Sequence, residues 1–182
     1  MKEQNEIELG PTRKSSNATN IKTPFNSPLN REKKSGGWAK QCGEDRAGHA
    51  IFQVHVNRAN GQVSPYAWSI RATVKLLWNY KSKSGRENLY EILSSYAPSN
   101  DTLGSIEGQP HNSPVEYVRF VSKAIDFPGN KPIGVFDSGG RVIEYDRLRL
   151  LLIAIERYEH GKRVTADWEI DLGITLFLTG ET

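Results

Sequence analysis

A mainly α domain, a globular bundle of about five helices with a small N-terminal β-hairpin and loop layer, is the fold class this sequence predicts. Three observations predict it. The stretch Asp146 to Gly161 is the most apolar run, and Leu148, Leu151, Leu152 and Ile155 recur in it at i, i+3, i+4 and i+7, the spacing of one helical face. Further segments after Ser64 carry helix start signals or apolar stripes of the same period. Residues 23 to 63, by contrast, are punctuated by Pro24, Pro28, Gly36, Gly37, Gly43, Gly48 and Gly61.

Taken in order, residues 1–22 are polar with almost nothing to bury, and read as a flexible arm. Residues 23–63 form the loop and β layer and residues 64–182 the helices of one domain spanning 23–182. The segment Ala50 to Val56 partly alternates and is rich in β formers, and Asn60-Gly61 after it is a tight-turn pair. Ser64-Pro65 opens the first helix as an N-cap with proline at the first helical position, and Ile70, Val74, Leu77 and Tyr80 share a face. A second helix over 86–96 aligns Leu89, Ile92, Leu93 and Tyr96 and is stopped by Pro98. Ser113-Pro114-Val115-Glu116 is a capping box that starts a third, burying Tyr117, Val118, Val121 and Ile125.

The fourth helix is the apolar run itself, ended by Gly161, because glycine accepts the left-handed conformation at C′. A fifth, over 165–179, has Asp167 and Glu169 near its positive end and two ridges, Trp168–Leu172–Leu176 and Ile170–Ile174–Phe177. The connections Ser99–Asn112 and Phe127–Gly140 read as polar, glycine-containing loops. No heptad persists, which favours a globular bundle over a coiled coil.

The 182 residues are enough for one core plus an arm. A net charge of +3 is a mild basic bias. Arg71, Lys75, Lys81, Lys83 and Arg86 come with no base-reading motif, so no specific nucleic-acid partner is expected. Cys42 stands alone and can form no internal disulfide. His49, His55, His111 and His160 lack metal-ligand spacing, and no phosphate-loop or dinucleotide fingerprint occurs, so neither metal nor cofactor is expected. No run approaches the roughly eighteen apolar residues of a membrane span, and the first residues lack a signal peptide's apolar core. Synthesis in the cytoplasm without a transmembrane segment is the expectation.

The residue of chemical interest is Glu159. It continues the stripe of the fourth helix by one turn, whereas Glu156 and Arg157 are expected to point elsewhere. In one reading, Glu159 is where a core stripe runs out into solvent. In the other, it is a carboxyl held against apolar walls, able to donate a proton near neutral pH. Glycoside cleavage often needs a second carboxylate, and Glu44 or Asp45 in the glycine-rich layer are the candidates for facing it. Trp38, Tyr66 and Trp68 have the surfaces to stack on sugar rings, though by themselves they fit better as residues closing the core between layers.

Several short motifs occur in a telling order. Asn26-Ser27-Pro28-Leu29-Asn30 is followed by Ser64-Pro65, then Ser69-Ile70-Arg71-Ala72, then Tyr96-Ala97-Pro98-Ser99-Asn100-Asp101-Thr102, and last Arg157-Tyr158-Glu159-His160-Gly161. In that order the chain, over roughly residues 20–180, resembles phage and prophage virion-associated structural proteins with a lysozyme-like domain. Those proteins carry an asparagine-rich loop, a Ser-Pro helix start, an Ala-Pro loop and a final His-Glu-Asn-Gly helix end. The chain retains the glutamate of the last motif, and His160 stands where the family has asparagine. The resemblance implies a lysozyme-like fold, an acid role for Glu159 and a substrate loop containing Asn26 and Asn30. It also implies peptidoglycan as the target during entry, capsid or tail proteins as partners of the N-terminal arm, and the virion as destination. A non-enzymatic virion assembly protein using the same fold is the alternative.

Overall fold

The computed structural model describes residues 61–98 and 113–180, together with the backbone of three short strand segments before them. It is mainly α. Strands β1 (Gln41–Glu44), β2 (Ala50–Phe52), β3 (His55–Asn57) and β4 (Gly61–Val63) precede helices α1 (Pro65–Ser84), α2 (Leu89–Tyr96), α3 (Pro114–Ala124), α4 (Tyr145–His160) and α5 (Asp167–Leu178). The strands form two antiparallel pairs, β1 with β2 and β3 with β4, and Asn57 opposite Gly61 closes the second ladder. β2 borders α1.

Local chemistry sets the helix ends. The Ser64 hydroxyl accepts the Tyr66 amide at 3.1 Å and Pro65 begins α1. Gly85, in the left-handed region at φ 62°, ends it. α2 starts three residues later than its stripe predicts, because Asn88 and Glu91 form the capping box: Asn88 accepts the Glu91 amide at 2.9 Å and Glu91 accepts the amides of Glu87 and Asn88. Ser113 caps α3. Gly161, at φ 66°, terminates α4 as its position predicts.

α1 and α5 are the most intimately packed helices. Gly173 makes this possible, since a Cβ there would stand 2.6 Å from the Ile70 side chain and 2.7 Å from the Ala67 carbonyl oxygen. Their starts are also tied together: the Ser64 hydroxyl donates to Glu169, which accepts the Ala166 amide at 2.8 Å. α2 packs on α3, and α3 on α4. The predicted stripe of α4, Leu148, Leu151, Leu152 and Ile155, is fully buried in the main core with Ile70, Val74, Leu89, Leu93, Val121 and Ile174. A second cluster, Val63, Ala67, Trp68, Ala72 and Leu176, lies where the β segment meets α1 and α5.

Two expectations are corrected. Residues 127–140 are not simply a polar loop, because Ile133, Val135 and Phe136 insert into the core. Their backbone is tied down by Lys81 donating to the Phe136 carbonyl and Arg147 to the Ile133 carbonyl, both at 2.8 Å. Trp168, expected on an apolar ridge, is 57% exposed, since α1 covers the Ile170–Gly173–Ile174 side of α5 and leaves position 168 outside.

Glu156, off the Leu148–Ile155 stripe, is wholly buried, at 0% exposure. Its Oε1 accepts the amides of Val164 and Thr165, and its Oε2 accepts the Thr165 hydroxyl at 2.7 Å. Three donors from the α4–α5 connection thus satisfy a carboxylate that burial would otherwise penalise heavily.

Candidate functional site

The last turn of α4 carries Tyr158 and Glu159, and the adjoining side of α3 carries Glu116, Tyr117 and Phe120. The helical periods bring these together. Tyr117 lies on the buried stripe of α3 with Val121, one turn on, while Glu116 and Phe120 occupy an adjacent row at i, i+4. Tyr158 then lies flat on Tyr117, with ring centroids 3.8 Å apart and an interplanar angle of 14°. Tyr96, at the end of α2, meets Tyr117 edge-on at 6.5 Å, and Phe120 meets Tyr158 at 5.5 Å, tilted by 60°. Tyr117 is 1% exposed and Phe120 is 41% exposed, so the cluster runs from core to surface.

Glu159 is half-buried beside these rings. Burial, reinforced by the nearby Glu159 carboxylate, pushes the Tyr117 phenol well above its ordinary value. Tyr158 is raised too, by burial first and then by Glu116 and Glu159. Two carboxylates therefore act on one ring, Glu159 from α4 and Glu116 from α3. Glu116 also has the Arg119 guanidinium at 3.9 Å on an open surface. An aromatic edge flanked by carboxyl groups can stack against a ring-shaped ligand and exchange a proton with it.

The other residues singled out by sequence are placed differently. Trp68 is 1% exposed and belongs to the second core cluster, so it offers no face for a sugar. The physical reason is its place on α1, facing Leu176 of α5 within that cluster. Tyr66 is half-buried and packs against the main core. The backbone of Glu44 pairs with Ala50 at the end of β1. Its side chain, and Asp45, Asn26, Asn30 and Trp38, lie outside the described residues. Nothing in the sequence marks Phe120, Tyr158 or Glu116 as site residues, and the spacing gives Tyr117 a core role only; its one signal is a polar hydroxyl on an apolar stripe.

Among the described residues no cluster of His, Cys, Asp or Glu is arranged to hold a metal ion, and no helix is long and apolar enough to cross a membrane. A shallow depression lined by Leu77, Lys81, Ile92, Ile133, Phe136 and Leu151 does not include Glu159. Leu151 and Glu159 are about 12 Å apart along the axis of α4 at the helical rise per residue. No protein-family model matches the sequence, and no curated protein matches it.

Proposed function

We propose that this chain is a phage virion-associated protein whose helical domain is lysozyme-like and acts on host peptidoglycan glycan strands during entry. The observation that carries the reading is the position of Glu159 at the C-terminal turn of α4, beside the surface edge formed by Tyr158 and Phe120. The order of short motifs ending in Arg157-Tyr158-Glu159-His160-Gly161 supports it. In the reaction, Glu159 gives its proton to the glycosidic oxygen as the C–O bond breaks. The cationic sugar is then stabilised by a second carboxylate or captured by the substrate's own N-acetyl oxygen. Glu116 is the carboxylate that shares the Tyr158 ring with Glu159.

A cell-wall zymogram tests this directly. The intact chain should clear the gel and Glu159→Gln should not, with both equally folded by circular dichroism. Folded wild-type protein that leaves the wall intact sinks the proposal.

The rival reading is a non-enzymatic virion assembly protein in which the N-terminal arm grips a capsid or tail neighbour. The 3.8 Å stacking of Tyr117 on Tyr158 favours it, because it leaves no slot between those rings. Under that reading, loss of residues 1–22 abolishes incorporation into particles while Glu159→Gln has no effect.

A further inference from the structure

We infer that the depression between α1, α2, α4 and residues 132–136 seats the last residue of a peptide, with its aliphatic side chain on the floor and its free carboxylate on Arg86. The reading of Glu159 plays no part in this. The depression offers about 50 Å³ of space, and one water-sized group needs about 10–15 Å³ in the same measure. About four carbon atoms therefore fit, the size of a leucine side chain. That is well below the roughly 300–1,000 Å³ of a pocket that encloses a whole small molecule. A ligand anchored here continues out through the mouth, as a polypeptide chain does.

The lining matches such a residue in both its parts. Leu77, Ile92, Ile133 and Leu151, all buried, make an apolar floor. Three charged side chains reach the depression, Lys81, Arg86 and Glu87. Two of them are already matched: Lys81 donates to the Phe136 carbonyl at 2.8 Å and pairs with the Glu87 carboxylate at 3.2 Å. The Glu91 carboxylate, which acts on Arg86 through space, accepts the amides of Glu87 and Asn88. The Arg86 guanidinium lies over the Tyr80 ring at 5.6 Å and is paired with no carboxylate among the described residues. Contact with a ring face leaves its N–H donors available. One unmatched positive charge thus stands at the rim of an apolar cup, which a chain-terminal carboxylate beside an aliphatic side chain complements.

The rim is also preformed. The Arg86 amide donates to the Tyr80 carbonyl at 3.1 Å, just beyond the left-handed Gly85, and the Ile133 amide donates to the Glu87 carbonyl at 2.8 Å. Backbone fixed before binding spares the ligand the entropy of ordering it.

The test titrates the full chain, labelled at its isoleucine and leucine methyls, with acetyl-Ala-Ala-Ala-Leu as the free acid. The NMR signals of Ile92, Ile133 and Leu151 should shift with one common Kd. The same peptide capped as an amide should bind roughly tenfold more weakly, because the charge-assisted bonds to Arg86 are lost. Arg86→Gln should weaken the free acid by the same factor and leave the amide-capped peptide unchanged, a selectivity that a merely structural role for Arg86 would not produce. Acid and amide that bind wild type alike, or methyl signals that stay in place, overturn the inference. Isovalerate, with the same branched tail and carboxylate but no chain behind them, distinguishes the source: binding as tight as the peptide's would assign the cup to a free acid and overturn the peptide.

Discussion

Glu156 accepts the Thr165 hydroxyl at 2.7 Å across the turn from α4 to α5, while the amides of Val164 and Thr165 converge on its other oxygen. The carboxylate does for this connection what a strand partner does for a hairpin, supplying acceptors for backbone that enters the interior. Glu156→Ala leaves three donors facing a void and should cost about 3 kcal/mol or more in urea unfolding. Glu156→Gln should cost less, since one oxygen remains to accept. An alanine variant as stable as wild type would show that the turn stands without it.

Gly173 should tolerate no side chain. A methyl at 2.6 Å from the Ile70 side chain and 2.7 Å from the Ala67 carbonyl forces α1 and α5 apart. That overpacking costs about 1–3 kcal/mol, against a gain of about 1 kcal/mol from replacing a helical glycine by alanine. Gly173→Ala should therefore lower the urea midpoint. A higher midpoint would mean that the crossing can widen without loss.

Alkaline pH should weaken the fold through Tyr80. Burial raises its hydroxyl to about 12 from an ordinary 10.0, with the Arg86 guanidinium pulling part of the way back. Below pH 10 the phenol is protonated in both folded and unfolded chains and the stability is intact. Between pH 10 and 12 the unfolded chain ionises first, so stability falls as pH rises, by about 2–3 kcal/mol for this one group. Tyr80→Phe should shrink that loss, a difference that urea titrations at pH 9 and pH 11.5 would resolve.

Salt should reach a different part of the molecule. Arg149 pairs with Asp167 at 2.7 Å and with Asp171 at 2.9 Å, bridging α4 to α5, and Tyr145 donates to Asp171 at 3.2 Å. The aspartates sit at the surface, so the network is screened. Arg149→Ala should lower Tm slightly in dilute buffer, and the difference should vanish near 1 M NaCl, where the screening length is about 3 Å. A difference that survives such salt would assign Arg149 a packing role instead.

Much of the helical frame was legible because caps and stripes are local. Ser64-Pro65, Ser113-Pro114 and Gly161 act within a few residues of themselves, and Leu148, Leu151, Leu152 and Ile155 all turn to the core. What escaped depends on partners distant in sequence. Glu156 falls off the apolar stripe of α4, and its burial becomes visible only when the amides of residues 164 and 165 are folded back over it. Trp68 and Trp168 are indistinguishable as tryptophans, yet the packing of α5 on α1 buries one and exposes the other. The candidate site shows the same division. Glu159 stands out from the spacing of a single helix, but Tyr117, Tyr158 and Phe120 become a cluster only when α3 docks on α4.

The hydroxyl of Ser64 and the carboxylate of Glu169 are 105 positions apart along the chain, and the helices they begin share the most intimate packing in the fold. During synthesis, α1 is made early and waits with its Ala67–Ile70 face bare until α5 has left the ribosome. A translational pause anywhere between α1 and residue 167 would prolong the exposure of that face to chaperones and to neighbouring copies.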